Sequence, residues 1–164
     1  MAKIATTPLA ACMAAILMTV SSSGSAAAPA SSIEPRIGML CIKVFDLQRA
    51  LDFYTKVLGM KEQRRLNTTG GVVEVLLGYG DLQSTAGVML MHDPKRTKPY
   101  ELGDGFSRFI VYVPDIQGSL QKLQSAGAQV TVKPTRVESL GITIMIAKDP
   151  DGYAMEIIQR DAPK

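Results

Sequence analysis

The predicted order of secondary-structure elements repeats once along the chain, and this repeat constrains the fold more than any other feature. Residues 36–46 read as a strand, and Asp46 is placed to cap a helix over residues 47–59 that has one apolar face and ends at Gly59. Three further strands are predicted in the first half of the chain, over residues 60–66, 72–79 and 86–92.

The same order returns after a polar loop over residues 93–105. A strand over 106–115 leads into a helix over 116–127, and three strands follow, over 128–134, 140–149 and 153–160. The repeat predicts an α+β domain over residues 36–160, built from two tandem βαβββ modules. The first module spans residues 36–92 and the second spans 106–160.

Residues 1–30 differ from the rest and resemble a secretory signal peptide. Lys3 precedes an apolar run over residues 9–20, and a stretch of small residues follows, with cleavage expected between residues 26 and 30. The run is too short to span a bilayer, so we expect an exported protein, periplasmic or secreted, without a membrane span. Residues 9–12 read LAAC, which leaves open a lipid-bearing Cys12, although the apolar run follows this motif instead of preceding it.

Charge and cysteine content exclude two classes of protein. The formal net charge of the whole chain is +3, and loss of Lys3, the only charged residue in 1–30, lowers it to +2. No basic block interleaved with aromatic residues is present, so a nucleic-acid partner is not predicted. Without the leader, Cys41 is the only cysteine, so no intrachain disulfide is possible, and its apolar strand predicts a buried thiol.

Three motifs resemble glyoxalase I and its relatives in the vicinal oxygen chelate superfamily. They are DLQRALDFYTKVLGM at residues 46–60, YELG at 100–103 and DPDGYAMEII at 149–158, and the resemblance covers residues 36–159. It implies curved sheets that form a half-open barrel around a ligand cleft. It also implies a divalent metal that is held by side chains on the first and fourth strands of one module and the matching strands of the other.

The positions that hold the metal in this family carry unsuitable residues here. They fall on Met39, Met89, Arg108 and Glu156, and only the last is a metal-ligating type. Thioethers are soft and weak donors, and a guanidinium has no lone pair to offer. We therefore predict no metal and no cofactor.

The glutathione-binding positions of the family also depart from its pattern. Lys43 is a fair replacement for an arginine, but Asp93 and Asp104 stand where an asparagine and an arginine would contact glutathione. Two carboxylates would repel an anionic thiol conjugate. His92, the only histidine, alternates away from the face of Met89 and Met91, so we interpret it as a surface residue at a strand end.

Strand alternation predicts which side chains would line the cleft. It places a set of apolar and charged residues on shared faces of the strands. A cleft with this lining is predicted to bind a small, mostly apolar ligand. This set comprises Met39, Cys41, Lys43, Met89, Met91, Arg108, Tyr112 and Glu156. The alternative is that the methionines simply fill a collapsed core.

Two functional hypotheses follow from these residues. The first is an exported small-molecule-binding protein without turnover. The alternative is a glyoxalase I-like lyase or another enzyme of this superfamily, either metal-dependent, if the strand register is shifted, or metal-free with Glu156 as a general base and Arg108 at a developing oxyanion. We expect Glu156 to pair with Arg108, because a carboxylate in an apolar strand needs a cation. We also expect a homodimer, because the exposed edges of curved sheets favour pairing with another chain.

Overall fold

The first half of the structure is a four-stranded mixed sheet with one helix. The computed structural model describes residues 35–162, and the predicted leader lies outside them. The elements are β1 (Met39–Lys43), α1 (Leu47–Asp52), β2 (Lys61–Asn67), β3 (Val73–Gly78) and β4 (Gly87–His92). The strand order is β1-β4-β3-β2, with β1 parallel to β4 and the other pairs antiparallel.

The second half repeats this arrangement. Its elements are β5 (Phe109–Tyr112), α2 (Ile116–Ser125), β6 (Val130–Val137), β7 (Ile142–Lys148) and β8 (Ala154–Arg160), in the sheet order β5-β8-β7-β6. Strand β5 is parallel to β8 and the other pairs are antiparallel. The prediction of two βαβββ modules is confirmed, and neither sheet closes on itself, as in a half-open barrel.

The first helix is shorter than predicted and changes type. Regular α-helix stops at Asp52, and residues Phe53–Val57 form a π-helical turn in which the Leu58 amide donates to the Phe53 carbonyl at 3.1 Å. The 3.6-residue pattern placed only Tyr54 of the two neighbouring aromatics on the apolar face. The wider turn buries both Phe53 and Tyr54, and this gain in buried aromatic surface accounts for the departure from the predicted helix.

Both helices start at an aspartate cap, as was predicted for Asp46. The Asp46 carboxylate accepts a hydrogen bond from the Arg49 amide at 3.0 Å. The Asp115 carboxylate accepts from the amides of Gln117 and Gly118, each at 3.0 Å. These bonds satisfy backbone donors that have no partner inside the helix.

The first and fifth strands are shorter than the apolar runs suggested. Pairing of β1 with β4 extends only from Met39 to Lys43, and pairing of β5 with β8 begins at Phe109. Arg108 therefore immediately precedes β5 and does not lie within it, which corrects the prediction. An apolar run alone does not show where hydrogen-bonded pairing with a distant strand begins and ends.

The core lies on one face of each sheet, against the helices. Alternate residues of the strands point into it and are almost fully buried, whereas the opposite faces are more exposed. The fully buried strand residues include Val75, Leu77, Leu90, Met145, Met155 and Ile157, and Val44, directly after β1, is also fully buried. Stacking of the Tyr54 and Phe109 rings, with centroids 6.5 Å apart, joins the two modules. No helix within residues 35–162 combines the length and apolarity needed to cross a membrane.

Candidate functional site

Glu156 forms an ion pair with Arg108 on the open face of the second sheet. Glu156 lies in β8 between Met155 and Ile157, whose side chains are buried in the core. Its own side chain points to the opposite face, where Oε2 accepts a hydrogen bond from Arg108 Nε at 2.7 Å. The predicted contact between these residues is present in the structure.

The two side chains of this pair differ in exposure, because the glutamate is nearly buried and the arginine is partly exposed. The Glu156 side chain is 11% exposed, whereas the Arg108 side chain is 43% exposed. Arg108 Nη1 donates to Ser107 Oγ at 3.3 Å, but Nη2 has no acceptor among residues 35–162. Within the same range, Glu156 Oε1 accepts no hydrogen bond. One donor edge of the guanidinium and one carboxylate oxygen are therefore available to a ligand.

Aliphatic side chains surround this pair. Strand register places Ile110 and Ile146 on either side of Glu156, and Ile158 with Tyr112 in the next row of the same face. Ile110 is 52% exposed and Tyr112 is 56% exposed, so the face is apolar and open in the described chain. The Arg160 guanidinium covers the Tyr112 ring at 4.4 Å and donates to its hydroxyl at 3.1 Å.

The open face of the first sheet carries the predicted methionines. Register pairs Cys41 with Met89 and Lys43 with Met91. Both methionines are half-buried. Cys41 is exposed, which corrects the prediction of a buried thiol, because it points away from the face that packs against α1.

None of the principal cavities within residues 35–162 is lined by all of these side chains. No hydrogen bond or ion pair within that range joins Met39, Lys43, Met89 or Met91 to the Arg108–Glu156 pair. The principal cavities have other linings, and Tyr112 is the one predicted site residue that borders them. One of them, of about 310 Å³, lies between α2 and the π-helical turn. The methionine-lined cleft stays a prediction.

The donor set at the family's metal positions does not fit a metal. Glu156 supplies one carboxylate, but Met39 and Met89 supply thioethers and Arg108 supplies a permanent cation that is already bonded to that carboxylate. No group of three or more histidine, cysteine, aspartate or glutamate side chains within residues 35–162 could hold a metal ion. His92 ends β4, half-buried, with Nδ1 3.4 Å from the Val44 carbonyl oxygen, and belongs to no such group.

The turn before β8 holds a buried network that the sequence did not predict. Asp149 Oδ2 accepts from the Tyr54 hydroxyl at 2.8 Å, and its Oδ1 accepts from the amides of Asp151 and Tyr153. Burial raises the pKa of the Asp149 carboxyl, and burial likewise raises that of the Tyr54 hydroxyl, with the Asp149 charge adding to the effect. The sequence feature that could have indicated this network is the presence of two aspartates, Asp149 and Asp151, in a short turn between apolar strands.

The same turn connects the second module to the end of β1. Asp151 Oδ1 accepts from the Phe45 amide at 2.8 Å and lies 3.6 Å from Arg49 Nη2. The Tyr153 hydroxyl contacts both the amide and the carbonyl of Lys43, at 3.3 and 3.1 Å. Because Glu156 follows three residues later, these bonds fix where its strand begins relative to β1.

The loop after β4 brings two cations to one aromatic ring. Arg96 lies 3.8 Å and Lys43 Nζ 5.8 Å from the centre of the Tyr100 ring. Neither cation has an ion-pair partner within residues 35–162. Asp93 Oδ1 accepts from the Lys95 amide at 2.9 Å, which orders the start of the loop, and Asp104 is exposed.

Comparisons with known proteins agree with this architecture. A probable lactoylglutathione lyase of Synechocystis sp. is 33% identical over 124 residues, which are 75% of this chain and 94% of the relative. A lactoylglutathione lyase of Arabidopsis thaliana is 34% identical over 119 residues, which are 72% of this chain but only 42% of the plant protein.

Solved structures of glyoxalase I share the fold. The enzyme from Zea mays superposes with a TM-score of 0.71 at 30% identity, over 77% of this chain and 45% of that chain. The trypanothione-dependent enzyme of Leishmania major gives 0.67 at 26% identity, over 76% and 86%. The model of the Glyoxalase/Bleomycin resistance protein/Dioxygenase superfamily matches residues 36–157. The predicted resemblance is confirmed, and the chain belongs to this superfamily.

Proposed function

We propose that this chain is a glyoxalase I-like enzyme that moves a proton on a small carbonyl compound, with Glu156 as the proton acceptor. The observation that carries the proposal is the position of Glu156. It is the one metal-position residue that keeps a family residue type, and its Oε1 faces no donor in the described chain. Similarity to lactoylglutathione lyases over most of the domain supports this reaction class over binding alone.

The proposed step balances without any other reactant. In lactoylglutathione, the compound named for these relatives, a hydroxyl-bearing carbon lies next to a thioester carbonyl. Glu156 would take the proton from that carbon as the C–H electron pair forms an enolate. It would then return the proton to the adjacent carbon while the hydroxyl proton passes to the enolate oxygen, which gives the isomeric hemithioacetal with a ketone in place of the hydroxyl-bearing carbon. A positioned carboxylate contributes to such transfers when it reaches the substrate hydrogen directly.

A divalent metal has no part in this proposal, because the residues at its family positions do not fit one. The carboxylate of Glu156 is instead oriented by Arg108 through the bond between Nε and Oε2 at 2.7 Å. A hydrogen bond to a charged group is short and directional, so it fixes which oxygen remains available.

Small-molecule binding without turnover is the second candidate. The apolar open faces favour it, with Met89 and Met91 on the first sheet and Ile110 with Tyr112 on the second. Methionine side chains adapt to ligands of varied shape, and aliphatic faces of this kind bind the body of a small organic molecule.

One experiment separates the two candidates. The purified protein is incubated with lactoylglutathione, and separately with glutathione and methylglyoxal, and lactoylglutathione is followed by mass spectrometry. Turnover that is lost in Glu156→Gln but kept in Glu101→Gln, a control at an exposed glutamate, would support the enzyme. Turnover retained in Glu156→Gln would overturn the role of Glu156. Saturable binding without turnover would favour the second candidate.

We also propose export, on the basis of the leader sequence. The run of small residues at 21–32 after an apolar segment supports cleavage between residues 26 and 30. Expression with the intact leader, followed by N-terminal sequencing of the mature protein, tests the proposal. A protein that retains Met1, or that carries lipid on Cys12, would contradict it.

A further inference from the structure

We infer that the open face of the first sheet binds a soft monovalent metal ion of the Cu(I) type through four sulfur atoms. The donors are the thiolate of Cys41 and the thioethers of Met39, Met89 and Met91. This inference goes beyond the proposed function and does not depend on it, because the Arg108–Glu156 pair takes no part in the site. It begins from the exposure of Cys41, which the sequence did not predict.

Strand register places the four sulfur-bearing side chains next to one another. Cys41 pairs with Met89 across the parallel β1–β4 ladder. Met39 lies two residues before Cys41, and Met91 lies two residues after Met89, so alternation puts all four on one face. Neighbouring strands lie about 4.8 Å apart, and residues i and i+2 of one strand lie about 6.6 Å apart. Flexible methionine side chains span these distances, so their sulfur atoms reach an ion bound at Cys41.

The methionines within residues 35–162 fall into two groups. Three of them are buried in the core, namely Met60, Met145 and Met155. The other three are half-buried, and all of them lie on the face that carries Cys41. Methionines that only fill space belong in the core, where burial removes the most apolar surface from water. The position of the remaining three around an exposed thiol therefore points to a shared ligand.

An apolar side chain covers one end of this face. Leu82, from the loop between β3 and β4, lies over two glycines: a Cβ on Gly78 or Gly87 would be 2.7 or 2.6 Å from Leu82 Cδ2. Gly87 is the register partner of Met39. The Arg36 guanidinium donates to the Leu82 carbonyl oxygen at 2.6 Å and holds this loop in place. Glycine at both positions thus leaves room for Leu82, which shields the Met39 end of the face from water.

Charge favours a monovalent ion over a divalent one. Register places Lys43 and Glu74 on either side of Met91 in one row, so their charges offset each other. As the sulfur–metal bond forms, the Cys41 thiol releases its proton to solvent, and the thiolate with a monovalent ion is neutral. A divalent ion would leave one uncompensated positive charge among thioethers and beside Leu76, which costs free energy.

Donor chemistry selects the ion within that class. Thiolate and thioether sulfur are soft donors that select Cu(I), whereas divalent ions of harder character prefer nitrogen and oxygen. The thioethers of Met39 and Met89, which do not suit the divalent metal of the family, therefore suit this ion. The site differs from the family's in its ion, in its donors and in lying on one sheet alone.

Methionine methyl resonances test the site directly. The full chain carries Cys12→Ser, so that Cys41 is its only cysteine, and its methionine methyl groups are isotope-labelled for NMR. Ag(I) is the probe, because it is soft and monovalent like Cu(I) but redox-inert. We expect saturable shifts at Met39, Met89 and Met91 and none at Met145, while Zn(II) should shift none of them.

Variants measure what each donor contributes. Anaerobic competition with bathocuproine disulfonate gives the affinity for Cu(I). Cys41→Ser should abolish binding, and Met89→Leu or Met91→Leu should each weaken it at least about tenfold, since loss of an outer-shell partner alone costs that much. Met145→Leu is the matched control, because it makes the same change in the core, and it should leave the affinity unchanged.

Three results would overturn the inference. If Ag(I) shifts no methionine methyl group, or if Met89→Leu and Met91→Leu both bind Cu(I) as tightly as Met145→Leu, Cys41 acts only as an ordinary exposed thiol. Binding that persists in Cys41→Ser would place the ion elsewhere. Methyl shifts with Zn(II) equal to those with Ag(I) would refute the selection of a soft monovalent ion.

Discussion

Glu156 shows how a single charged residue is accommodated in an apolar strand. Because side chains alternate between the faces of a sheet, Met155 and Ile157 enter the core while Glu156 faces the open side. There it meets Arg108, and burial of the carboxylate is offset by a charge-assisted hydrogen bond. The residue therefore interrupts the apolar sequence without interrupting the core.

The stability contribution of this pair depends on the burial of the carboxylate. Arg108→Ala leaves a carboxylate that is 11% exposed without a partner, and we expect it to lower the free energy of unfolding by about 1–2 kcal/mol. Arg65→Ala is a matched control, since Arg65 is 44% exposed but its partner Glu62 is 37% exposed; its cost should be below about 0.5 kcal/mol. Urea unfolding measures both. Equal costs would show that the Arg108 pair is as weak as a surface pair.

Asp149 should make stability depend on pH in a defined direction. Burial is the main cause that raises its pKa above the ordinary value of 3.8. The folded state then holds the proton more tightly than the unfolded chain. The resulting stability is present below about pH 4 and is lost as the pH rises through the folded pKa. The free energy of unfolding of wild type, minus that of Asp149→Asn, should fall as the pH rises from 4.

Asp52 supplies a control of opposite sign. Its hydrogen bond with Lys56 lowers its pKa, so its contribution is present above the ordinary value and is lost as the pH falls. The free energy of unfolding of wild type minus that of the variant should therefore rise with pH for Asp52→Asn and fall with pH for Asp149→Asn. Parallel slopes would contradict the assignment of burial as the cause at Asp149.

At the scale of elements, short turns determine how the two modules meet. The turn from Asp149 to Tyr153 contacts the π-helical turn through Tyr54 and the end of β1 through Phe45 and Lys43. Asp151 Oδ2 is the one buried side-chain oxygen or nitrogen within residues 35–162 that lacks a partner. This turn thus places β8, and with it Glu156, relative to the first sheet.

The end of the first helix depends on backbone conformation at Gly59. Its φ is 77°, in the left-handed region, and a Cβ added there would meet nothing within 4 Å. Gly59→Ala should therefore cost about 1 kcal/mol from backbone strain alone. Gly38→Ala is the control, because it also has open space but no positive φ, and it should be nearly neutral. Thermal unfolding that ranks the two variants equally would contradict this explanation.

At the scale of the whole molecule, we propose that a second copy of the chain covers the open sheet faces. Ile110 and Tyr112 are more than half exposed on a face that also carries the Arg108–Glu156 pair. Contiguous apolar surface of this kind is typical of interfaces between subunits. The expected homodimer would place more side chains around the candidate site than one chain supplies.

A charge substitution on that face tests the assembly. Ile110→Lys should shift the protein to a monomer in analytical ultracentrifugation, because a lysine would have to be buried at the interface. Leu140→Lys is a matched control, since Leu140 is 68% exposed but lies in the short helix between β6 and β7. A wild-type protein that remains monomeric at high concentration would refute the proposed dimer.

The sequence by itself determined the order of elements, the caps and the faces of the strands. These features depend on neighbouring residues. Asp46 caps the helix by accepting a hydrogen bond from the amide three residues later. Alternation places Cys41 and Met89 on one face of the sheet once the strand order is known. The family motifs added the position of Glu156 and its neighbour Arg108. Local rules and a resemblance therefore reached the candidate pair.

Only the tertiary structure decided the strand limits, the π-helical turn, the exposure of Cys41 and the network around Asp149. Each depends on residues far apart in sequence: β5 pairs with β8, and Tyr54 meets Asp149 across 95 positions. The sequence shows which side chains a strand presents, but not which distant element covers them. The distant elements that pack against a side chain decide how deeply it is buried. They therefore also decide the raised pKa of Asp149 and the solvent exposure of Arg108.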